Sequence, residues 1–424
     1  MLQVAAIREQ YNKVLDGLAK RNFKNASEMV SAILEKDNAR KETQKTLDDL
    51  KAKANADSKK IGELMKSGQN AEANKLKVSV TEAKDSTKTM ENSLANLEKE
   101  LVELLYKIPN VPNEKVPAGV GADDNINVFE HGAIPSLGKD AVPHWELIKK
   151  YDIIDFDLGV KISGAGFPVY KGKGAKLQRA LINFFLDEAE KQNYKEVQPP
   201  IVVNEASGYG TGQLPDKEGQ MYFVGEDGLY LIPTAEVPIT NLYRDVILTE
   251  EQLPVKNVGY TPCFRREAGS WGAHVRGLNR LHQFDKVEIV QIRKPEESYQ
   301  ALDDMCNHVQ MLLEKLELPY RKLLLCGGDM GFNSAITYDM EVFAAGQQRW
   351  LEVSSVSNFE TFQSNRLKLR YKNAEGKTQL LHTLNGSALA LPRIVAAILE
   401  NNQSSSGIRI PNVLVPYTKF EMIN

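Results

Sequence analysis

Residues 261–290 are the part of the sequence best suited to chemistry, because two strand-like runs enclose a polar loop with arginines at its two ends. Arg265 lies at the end of the first run, and Arg276 lies in the loop. A guanidinium group binds phosphate oxygens through two parallel hydrogen bonds, so this arrangement suits a triphosphate. Phe284, in the second run, offers an aromatic face on which a base could stack. The segment predicts a nucleotide site built on a strand, a basic loop and a second strand.

The same arginines have a simpler interpretation. Taken alone, Arg265, Arg266 and Glu267 are typical of a ladder of surface ion pairs along a strand. Other chemistries are disfavoured: there is no P-loop and no Gly-x-Ser-x-Gly elbow, and Gly164–Gly166 lacks the context of a dinucleotide fingerprint. The six histidines never recur at i,i+3 or i,i+4, and the three cysteines include no Cys-x-x-Cys pair. This argues against zinc chemistry, a serine-type triad and a disulfide framework.

The segment that precedes these motifs has the pattern of two long helices. The first 108 residues contain no proline and are rich in Lys, Glu, Ala and Leu. Apolar residues recur at heptad spacing over Leu47–Leu64, with Asp57 as the exception, and again over Met90–Ile108. Lys66–Asn70 supplies the break between the two helices. We predict an antiparallel two-stranded coiled coil whose limbs of roughly 60 Å are too long for a compact core and form an arm.

The rest of the chain has the texture of a mixed α+β domain. Pro109, Pro112 and Pro117 end the hairpin and form a linker. Beyond it, β-rich runs alternate with helical ones. The β-rich runs are Val197–Val203, Tyr222–Ile232 and Lys286–Ile292, and the helical runs are Lys176–Gln192, Ser298–Leu318 and Ala388–Asn402. This order predicts a mainly antiparallel β-sheet flanked by helices.

Composition and charge limit the class of protein and its partners. The chain of 424 residues is 42% hydrophobic and 26% charged, which is typical of a globular protein. It has no apolar run that would span a membrane and no signal-peptide pattern, so we predict a cytoplasmic location. Residues 1–107 carry 20 basic and 17 acidic residues, and the remainder carries 33 and 39. A basic segment on an acidic chain indicates a polyanion partner, although a solvated helical face has the same composition.

Several segments resemble the signature motifs of class II aminoacyl-tRNA synthetases, in the right order. Residues 261–290 resemble the second motif, Asn385–Arg393 the third, and Lys176–Pro200 the first, which builds the dimer interface. Thr234–Glu236 is the Thr-x-Glu tripeptide that seryl-tRNA synthetases use in their amino-acid pocket, and Glu352–Ser355 is a further match. With the helical hairpin ahead of the core, the chain is identified as a member of the seryl-tRNA synthetase family over essentially its whole length.

The resemblance implies the domains, the reaction and the partners. Residues 1–110 would be a tRNA-binding helical hairpin arm, and residues 111–424 a class II catalytic domain. The implied activity is that of a serine–tRNA ligase: the serine carboxylate attacks the α-phosphorus of ATP, and the terminal adenosine of tRNA then attacks the seryl-adenylate. The implied partners are ATP, L-serine and tRNA(Ser), with tRNA(Sec) left open, and the implied assembly is a homodimer with no membrane association.

The resemblance also assigns the nucleotide site. Arg265 and Arg393 are the catalytic residues, holding the α- and γ-phosphates. Arg276 adds to the triphosphate grip, Glu267 accepts a hydrogen bond from the adenine amino group, and Phe284 stacks under the ring. The other residues assigned to ATP are Arg266, Glu352, Val353, Ser354 and Ser355. Of these, Glu352 and Ser355 are also assigned as ligands of Mg²⁺, which prefers oxygen atoms.

The implied serine pocket contains Thr234, Ala235, Glu236, Glu288 and Ser387. Its polar groups offer partners for an ammonium group and a hydroxyl. Alanine would leave such groups unpaired, a loss that can reject a substrate by roughly 10⁴–10⁵. An alternative interpretation of Thr234 and Glu236 is a helix N-cap pair.

Two departures and two rival functions accompany this hypothesis. Many family members have glycine at Ala388 and a small residue at Pro392, but neither change removes a functional side chain. The hairpin would serve only as a dimerisation coiled coil under one alternative. The other is a catalytically inactive, synthetase-like paralogue that binds RNA or protein. Loss of Arg265, Glu267 or Arg393 would favour it, and all three are present.

Overall fold

The chain forms two compact units. The computed structural model describes residues 1–138, 141–216, 219–267 and 276–424, so the middle of the predicted basic loop lies outside the described residues. The first unit comprises residues 1–19 and 23–109, and the second comprises residues 20–22 and 110–424. The functional boundary predicted between residues 110 and 111 stays a prediction.

The first unit is helical, and its two long helices confirm the predicted hairpin. Its helices are α1 (Val4–Glu9), α2 (Tyr11–Lys20), α3 (Ala26–Lys66) and α4 (Asn70–Leu105). Heptad residues such as Leu47 and Leu101 are buried between α3 and α4. Ion pairs from Lys36 to Glu100 at 2.6 Å and from Lys51 to Glu91 at 2.8 Å follow the antiparallel register.

The second unit is α+β, as predicted. Its helices are α5 (His144–Lys150), α6 (Phe156–Ile162), α7 (Gly172–Lys191), α8 (Glu205–Thr211), α9 (Glu236–Asn241), α10 (Ser298–Lys315), α11 (Thr361–Leu367), α12 (Leu391–Asn401) and α13 (Val415–Thr418). Its strands are β1 (Ile126–His131), β2 (Ile154–Asp155), β3 (Val169–Tyr170), β4 (Lys195–Glu196), β5 (Val202–Asn204), β6 (Phe223–Val224), β7 (Leu229–Leu231), β8 (Ile247–Thr249), β9 (Val255–Phe264), β10 (Gln283–Arg293), β11 (Tyr320–Leu324), β12 (Ile336–Ala344), β13 (Arg349–Asn358), β14 (Arg370–Lys372), β15 (Thr378–Leu380), β16 (His382–Ala390), β17 (Gln403–Ser404), β18 (Gly407–Arg409) and β19 (Met422–Ile423).

A central sheet positions the motif segments. Its strand order is β1-β11-β12-β13-β16-β10-β9-β4. Neighbouring strands are antiparallel except for β4 and β9, which confirms the prediction of a mainly antiparallel sheet. The helices α7, α10 and α12 pack on this sheet and bury their apolar residues in one large core. Since β13, β16, β10 and β9 are consecutive neighbours, segments far apart in sequence meet on one surface.

Two sequence predictions of local structure were wrong at their edges. The predicted helix Ala388–Asn402 begins only at Leu391, because residues up to Ala390 extend β16 and pair with β10. Pro392 occupies the first turn of α12, where it removes no hydrogen bond. The predicted β-rich run Val197–Val203 contains strand only from Val202, where β5 begins.

Among the described residues, no helix combines the length and the apolar character that crossing a bilayer requires.

Candidate active site

The predicted site residues come from neighbouring strands of the central sheet. Phe284, Lys286 and Glu288 occupy alternate positions of β10, so their side chains leave the same side of the strand. Glu288 lies opposite Ser387 of β16. Arg265 follows directly on the last residue of β9, the partner strand on the other side.

A buried polar pocket forms around Glu288. The Lys286 ammonium group lies 2.5 Å from Glu288 Oε2 and donates a hydrogen bond of 2.6 Å to Thr234 Oγ1. Ser387 Oγ is 3.5 Å from the same carboxylate. All four side chains are buried. Lys286 was missed in the sequence, although its alternation with Phe284 and Glu288 on a strand could have indicated it.

Glu236 adds a second buried carboxylate to this pocket. Burial raises the pKa of Glu236 to about 7, and the nearby Glu288 adds to the rise. The Gln363 amide opposes the rise by donating a hydrogen bond of 2.6 Å to Glu236 Oε1. The Thr383 hydroxyl in turn donates to Gln363 Oε1 at 2.6 Å, which fixes the orientation of the amide. The pocket thus holds two acidic groups against one lysine.

The Thr-x-Glu tripeptide is placed by the start of α9. Thr234 Oγ1 accepts a hydrogen bond from the Glu236 backbone N–H at 3.3 Å, but the N-cap of α9 is Ala235, which makes no side-chain cap hydrogen bond, so the N-cap interpretation of Thr234 and Glu236 is wrong. The same hydroxyl accepts a hydrogen bond from Lys286, which places Thr234 in the pocket. Ala235 is buried and its side chain packs on Ile239 and Val290.

The residues assigned to adenine and to the α-phosphate lie on β10 or directly after the end of β9. The Arg265 guanidinium lies 5.2 Å from the Phe284 ring centroid and donates to the Pro233 carbonyl at 3.2 Å. Glu267 has a left-handed backbone with φ 50° and pairs with Arg280, a residue that sequence reasoning missed. Arg266, by contrast, is exposed.

Different partners hold Arg393, which is assigned to the γ-phosphate, and Arg276, which is assigned to the triphosphate. Arg393, in the first turn of α12, donates to the Glu352 carbonyl at 2.6 Å and to the Asn279 carbonyl at 3.1 Å. Arg276 Nη2 lies 3.3 Å from Glu146 Oε1, and the Arg276 guanidinium carbon lies 4.9 Å from the centroid of the Trp145 ring. Both partners are on α5.

The residues assigned to Mg²⁺ lie on β13 beside an unpredicted carboxylate. Asp339 of β12 is opposite Ser355 and is hydrogen-bonded to it. Burial and the neighbouring Glu352 hold the pKa of Asp339 well above its usual range. Asp339 Oδ1 is buried without a hydrogen-bond partner in the described part of the chain.

Two residues assigned to ATP are occupied within the fold. Ser354 is buried and donates to the Ser387 carbonyl at 2.6 Å, so its hydroxyl joins β13 to β16. The Val353 side chain is 1% exposed and belongs to the apolar core. Neither side chain is therefore free to contact a nucleotide.

The family comparisons agree with both units. Residues 1–112 match the family described as the seryl-tRNA synthetase N-terminal domain. Residues 222–402 match the family described as the tRNA synthetase class II core domain (G, H, P, S and T). The serine–tRNA ligase of Salinibacter ruber is 47% identical over 425 residues, which cover 100% of this chain and 99% of that relative. That of Methylacidiphilum infernorum is 46% identical and covers 100% of both chains.

Solved structures resemble the whole chain as well. The seryl-tRNA synthetase from Pyrococcus horikoshii, complexed with ATP, has a TM-score of 0.93 at 32% identity and covers 100% of this chain and 99% of its own. The cytoplasmic serine–tRNA ligase from Naegleria fowleri, in complex with AMP, has a TM-score of 0.88 at 25% identity with the same coverage.

Proposed function

We propose, from the premise that this chain belongs to the seryl-tRNA synthetase family, that it activates L-serine with ATP and transfers the serine to tRNA(Ser). The premise rests on relatives named serine–tRNA ligase that are between 43% and 47% identical over the full chain. The observation that carries the proposal is the order of groups on one side of β10. The polar pocket at Lys286 and Glu288 directly follows Phe284, over which the Arg265 guanidinium lies.

The charges of the pocket suit the ammonium group of an amino acid. Glu236 and Glu288 contribute two acidic groups, and Lys286 balances one of them. A serine ammonium group would balance the other. The hydroxyl of serine would form a hydrogen bond with Thr234 or Ser387. Alanine lacks this hydroxyl and would leave those groups unpaired.

The first reaction step needs charge stabilisation more than acid–base chemistry. A carboxylate oxygen of serine forms a bond to the α-phosphorus of ATP, and the bond to pyrophosphate breaks. The carboxylate is already deprotonated, so no general base is required. Arg265 would stabilise charge on the α-phosphate and Arg393 on the outer phosphates, as preorganised cations. In the second step, a hydroxyl of the terminal adenosine attacks the seryl carbonyl and AMP leaves.

The residues assigned to Mg²⁺ fit the ion by the chemistry of their donors. Glu352 and Ser355 present oxygen atoms, and Asp339 Oδ1 lies buried and unpaired beside them. The described residues contain no group of three or more His, Cys, Asp or Glu side chains that could hold a metal alone. Phosphate oxygens of ATP would complete the set, as is usual for Mg²⁺. When bound, the ion supplies neutralisation of phosphate charge.

The hairpin of α3 and α4 is the proposed tRNA-binding element. Residues 51–88 carry nine basic and five acidic side chains, and such a surface suits the RNA backbone. A homodimer and a cytoplasmic location remain part of the proposal.

Serine-dependent exchange of pyrophosphate into ATP tests the activity. We expect exchange with L-serine, far less with L-alanine or L-threonine, and almost none in Arg393→Ala. Absence of exchange by the wild-type protein, with tRNA binding retained, would instead support the inactive paralogue.

A further inference from the structure

A buried histidine–glutamate pair lies outside the residues assigned to substrates. His144, the first residue of α5, and Glu400, near the end of α12, have fully buried side chains. Glu400 Oε1 lies 2.7 Å from His144 Nδ1 and accepts hydrogen bonds from the His144 backbone N–H at 2.9 Å and from Gln347 Nε2 at 2.8 Å. Glu400 Oε2 accepts from the Gln347 backbone N–H at 2.9 Å.

The hydrogen bonds fix which nitrogen of His144 carries the proton. The Leu278 backbone N–H points at Nε2 from 2.8 Å, and a backbone N–H can only donate. Nε2 is therefore the acceptor, and Nδ1–H donates to Glu400. In this tautomer the carboxylate orients the imidazole, and the imidazole holds the backbone at Leu278.

Leu278 belongs to a short turn that joins the basic loop to β10. The turn is a 3₁₀ segment, Gly277–Asn279, directly after Arg276. Gly277 has φ 66°, and a Cβ there would collide with the His144 ring. Only glycine allows the turn to approach the imidazole this closely.

This turn holds both Arg276, which is assigned to the triphosphate, and Arg393, which is assigned to the γ-phosphate. The Asn279 carbonyl accepts from Arg393 Nε at 3.1 Å, and Asn279 Nδ2 donates to Gln347 Oε1 at 2.7 Å. Arg276 precedes the turn and contacts Trp145 and Glu146, the two residues after His144 on α5.

We propose that His144 and Glu400 are positioning residues that set Arg276 and Arg393 for the triphosphate of ATP, an inference that rests on the function proposed above. The pair touches no assigned substrate group. It acts through the hydrogen bond to Leu278, which locates the turn between the two arginines. A displacement of about 1 Å at such groups can change a rate or an affinity by up to about 10²-fold.

Two substitutions of His144 separate the positioning role from simple packing. In His144→Asn, the amide can replace Nδ1 toward Glu400 but is too short to accept from Leu278. In His144→Gln, the longer amide can place its oxygen near the former Nε2. We expect His144→Asn to raise the KM for ATP at least about tenfold with the serine KM within about twofold. His144→Gln should recover most of the ATP affinity.

The matched control is His308→Asn. His308 is also buried, on α10, and neither ring nitrogen has a hydrogen-bond partner in the described part of the chain. This variant should lose thermal stability while its KM for ATP stays within about twofold of wild type. Gln347→Ala is a second variant that should fold, since Gln347 is only half-buried, and it should raise the KM for ATP.

The readouts are pyrophosphate exchange and calorimetric binding of ATP without serine. Unchanged ATP affinity in folded His144→Asn or Gln347→Ala would overturn the inference, as would equal increases in both KM values. Equal ATP affinities in His144→Asn and His144→Gln would overturn it too. The wild-type exchange rate reports separately on the proposed function.

Discussion

The ammonium group of Lys286 lies 2.5 Å from the Glu288 carboxylate, and the two side chains are 7% and 1% exposed. Removing one partner of a buried pair leaves the other charge uncompensated, which costs about 3–5 kcal/mol. The same ammonium group donates to Thr234, a residue assigned to serine. Serine binding and protein stability are therefore coupled through this pair.

We expect Glu288→Ala to raise the serine KM far more than the ATP KM, because Lys286, left without its partner, would repel the ammonium group of serine. It should also lower the free energy of unfolding by about 3 kcal/mol, since Lys286 stays buried without its partner. Adding Lys286→Met should restore stability but not serine binding. Steady-state exchange and urea unfolding measure the two effects. A serine KM within about twofold of wild type would remove Glu288 from the pocket.

The raised pKa of Glu236, about 7, predicts a pH dependence of serine use. Below this pH the empty pocket holds the neutral acid, which attracts an ammonium group weakly. Above it the carboxylate is charged, so kcat/KM for serine should rise with pH through about 7 and then level. In Glu236→Gln the rise should vanish and kcat/KM should be low throughout. A wild-type kcat/KM for serine that stays flat from about pH 5.5 to about pH 8.5, roughly the range over which Glu236 titrates, would contradict the assignment.

The strand positions of the site could be predicted from the sequence, but the partners that fix its side chains could not. Phe284 and Glu288 lie on one side of β10 because strand side chains alternate, a rule that works locally. Gln363 bonds Glu236 across 127 residues, and Glu400 bonds His144 across 256. No local pattern records such contacts, since they form only when the strands and helices pack together.

The fold is predictable from the sequence where the hydrophobic periodicity is long. The heptads of α3 and α4 persist for many turns, so even the boundary at Lys66 was recovered. The start of α12 at Leu391 was missed because residues 388–390 are good helix formers whose conformation is decided by pairing with β10. Tertiary contacts there outweigh local propensity.

Arg265→Ala should lower kcat for adenylate formation by at least about 10², the scale of one lost charge contact in a transition state. Stability should change little, because Arg265 is only half-buried and its hydrogen bond in the described structure is to the Pro233 carbonyl. The matched control is Arg266→Ala, whose exposed side chain should leave kcat within about threefold. Normal exchange by Arg265→Ala, or loss of its fold, would assign Arg265 a structural role.

The metal assignment separates two adjacent serines. Ser355 is hydrogen-bonded to Asp339, whereas the Ser354 hydroxyl donates its hydrogen bond to the Ser387 carbonyl. We expect Ser355→Ala to raise the Mg²⁺ concentration that gives half-maximal exchange by about tenfold. Ser354→Ala should lower stability without moving that midpoint, and removal of divalent ions with EDTA should stop exchange in both. An unchanged Mg²⁺ midpoint in Ser355→Ala would remove it from the ligand set.

The hairpin can be shortened without removing its buried ion-pair cluster. Asp37 is buried and pairs with Arg8 of α1 and with Arg40 and Lys41 of α3, so a hairpin deletion that began at Asp37 would leave Arg8 without this partner. A cut farther along the hairpin, replacing residues 45–92 with a short turn, keeps this cluster and the pair of Lys36 with Glu100. Serine-dependent exchange should survive, because the assigned catalytic residues lie in the second unit.

Charging of tRNA by the deletion variant should fall steeply. The basic surface that it lacks is the one proposed to position the tRNA and to release counterions from the RNA backbone. A milder variant reverses Lys53, Lys59 and Lys60 to glutamate and changes Lys51 to glutamine, because glutamate at Lys51 would face Glu91. Each lost phosphate contact should reduce the slope of log affinity against log salt by about one. Filter binding of tRNA at several salt concentrations measures this slope. Equal loss of exchange and charging in the deletion would make the hairpin part of the catalytic fold, whereas unimpaired charging would mean that the tRNA is held elsewhere.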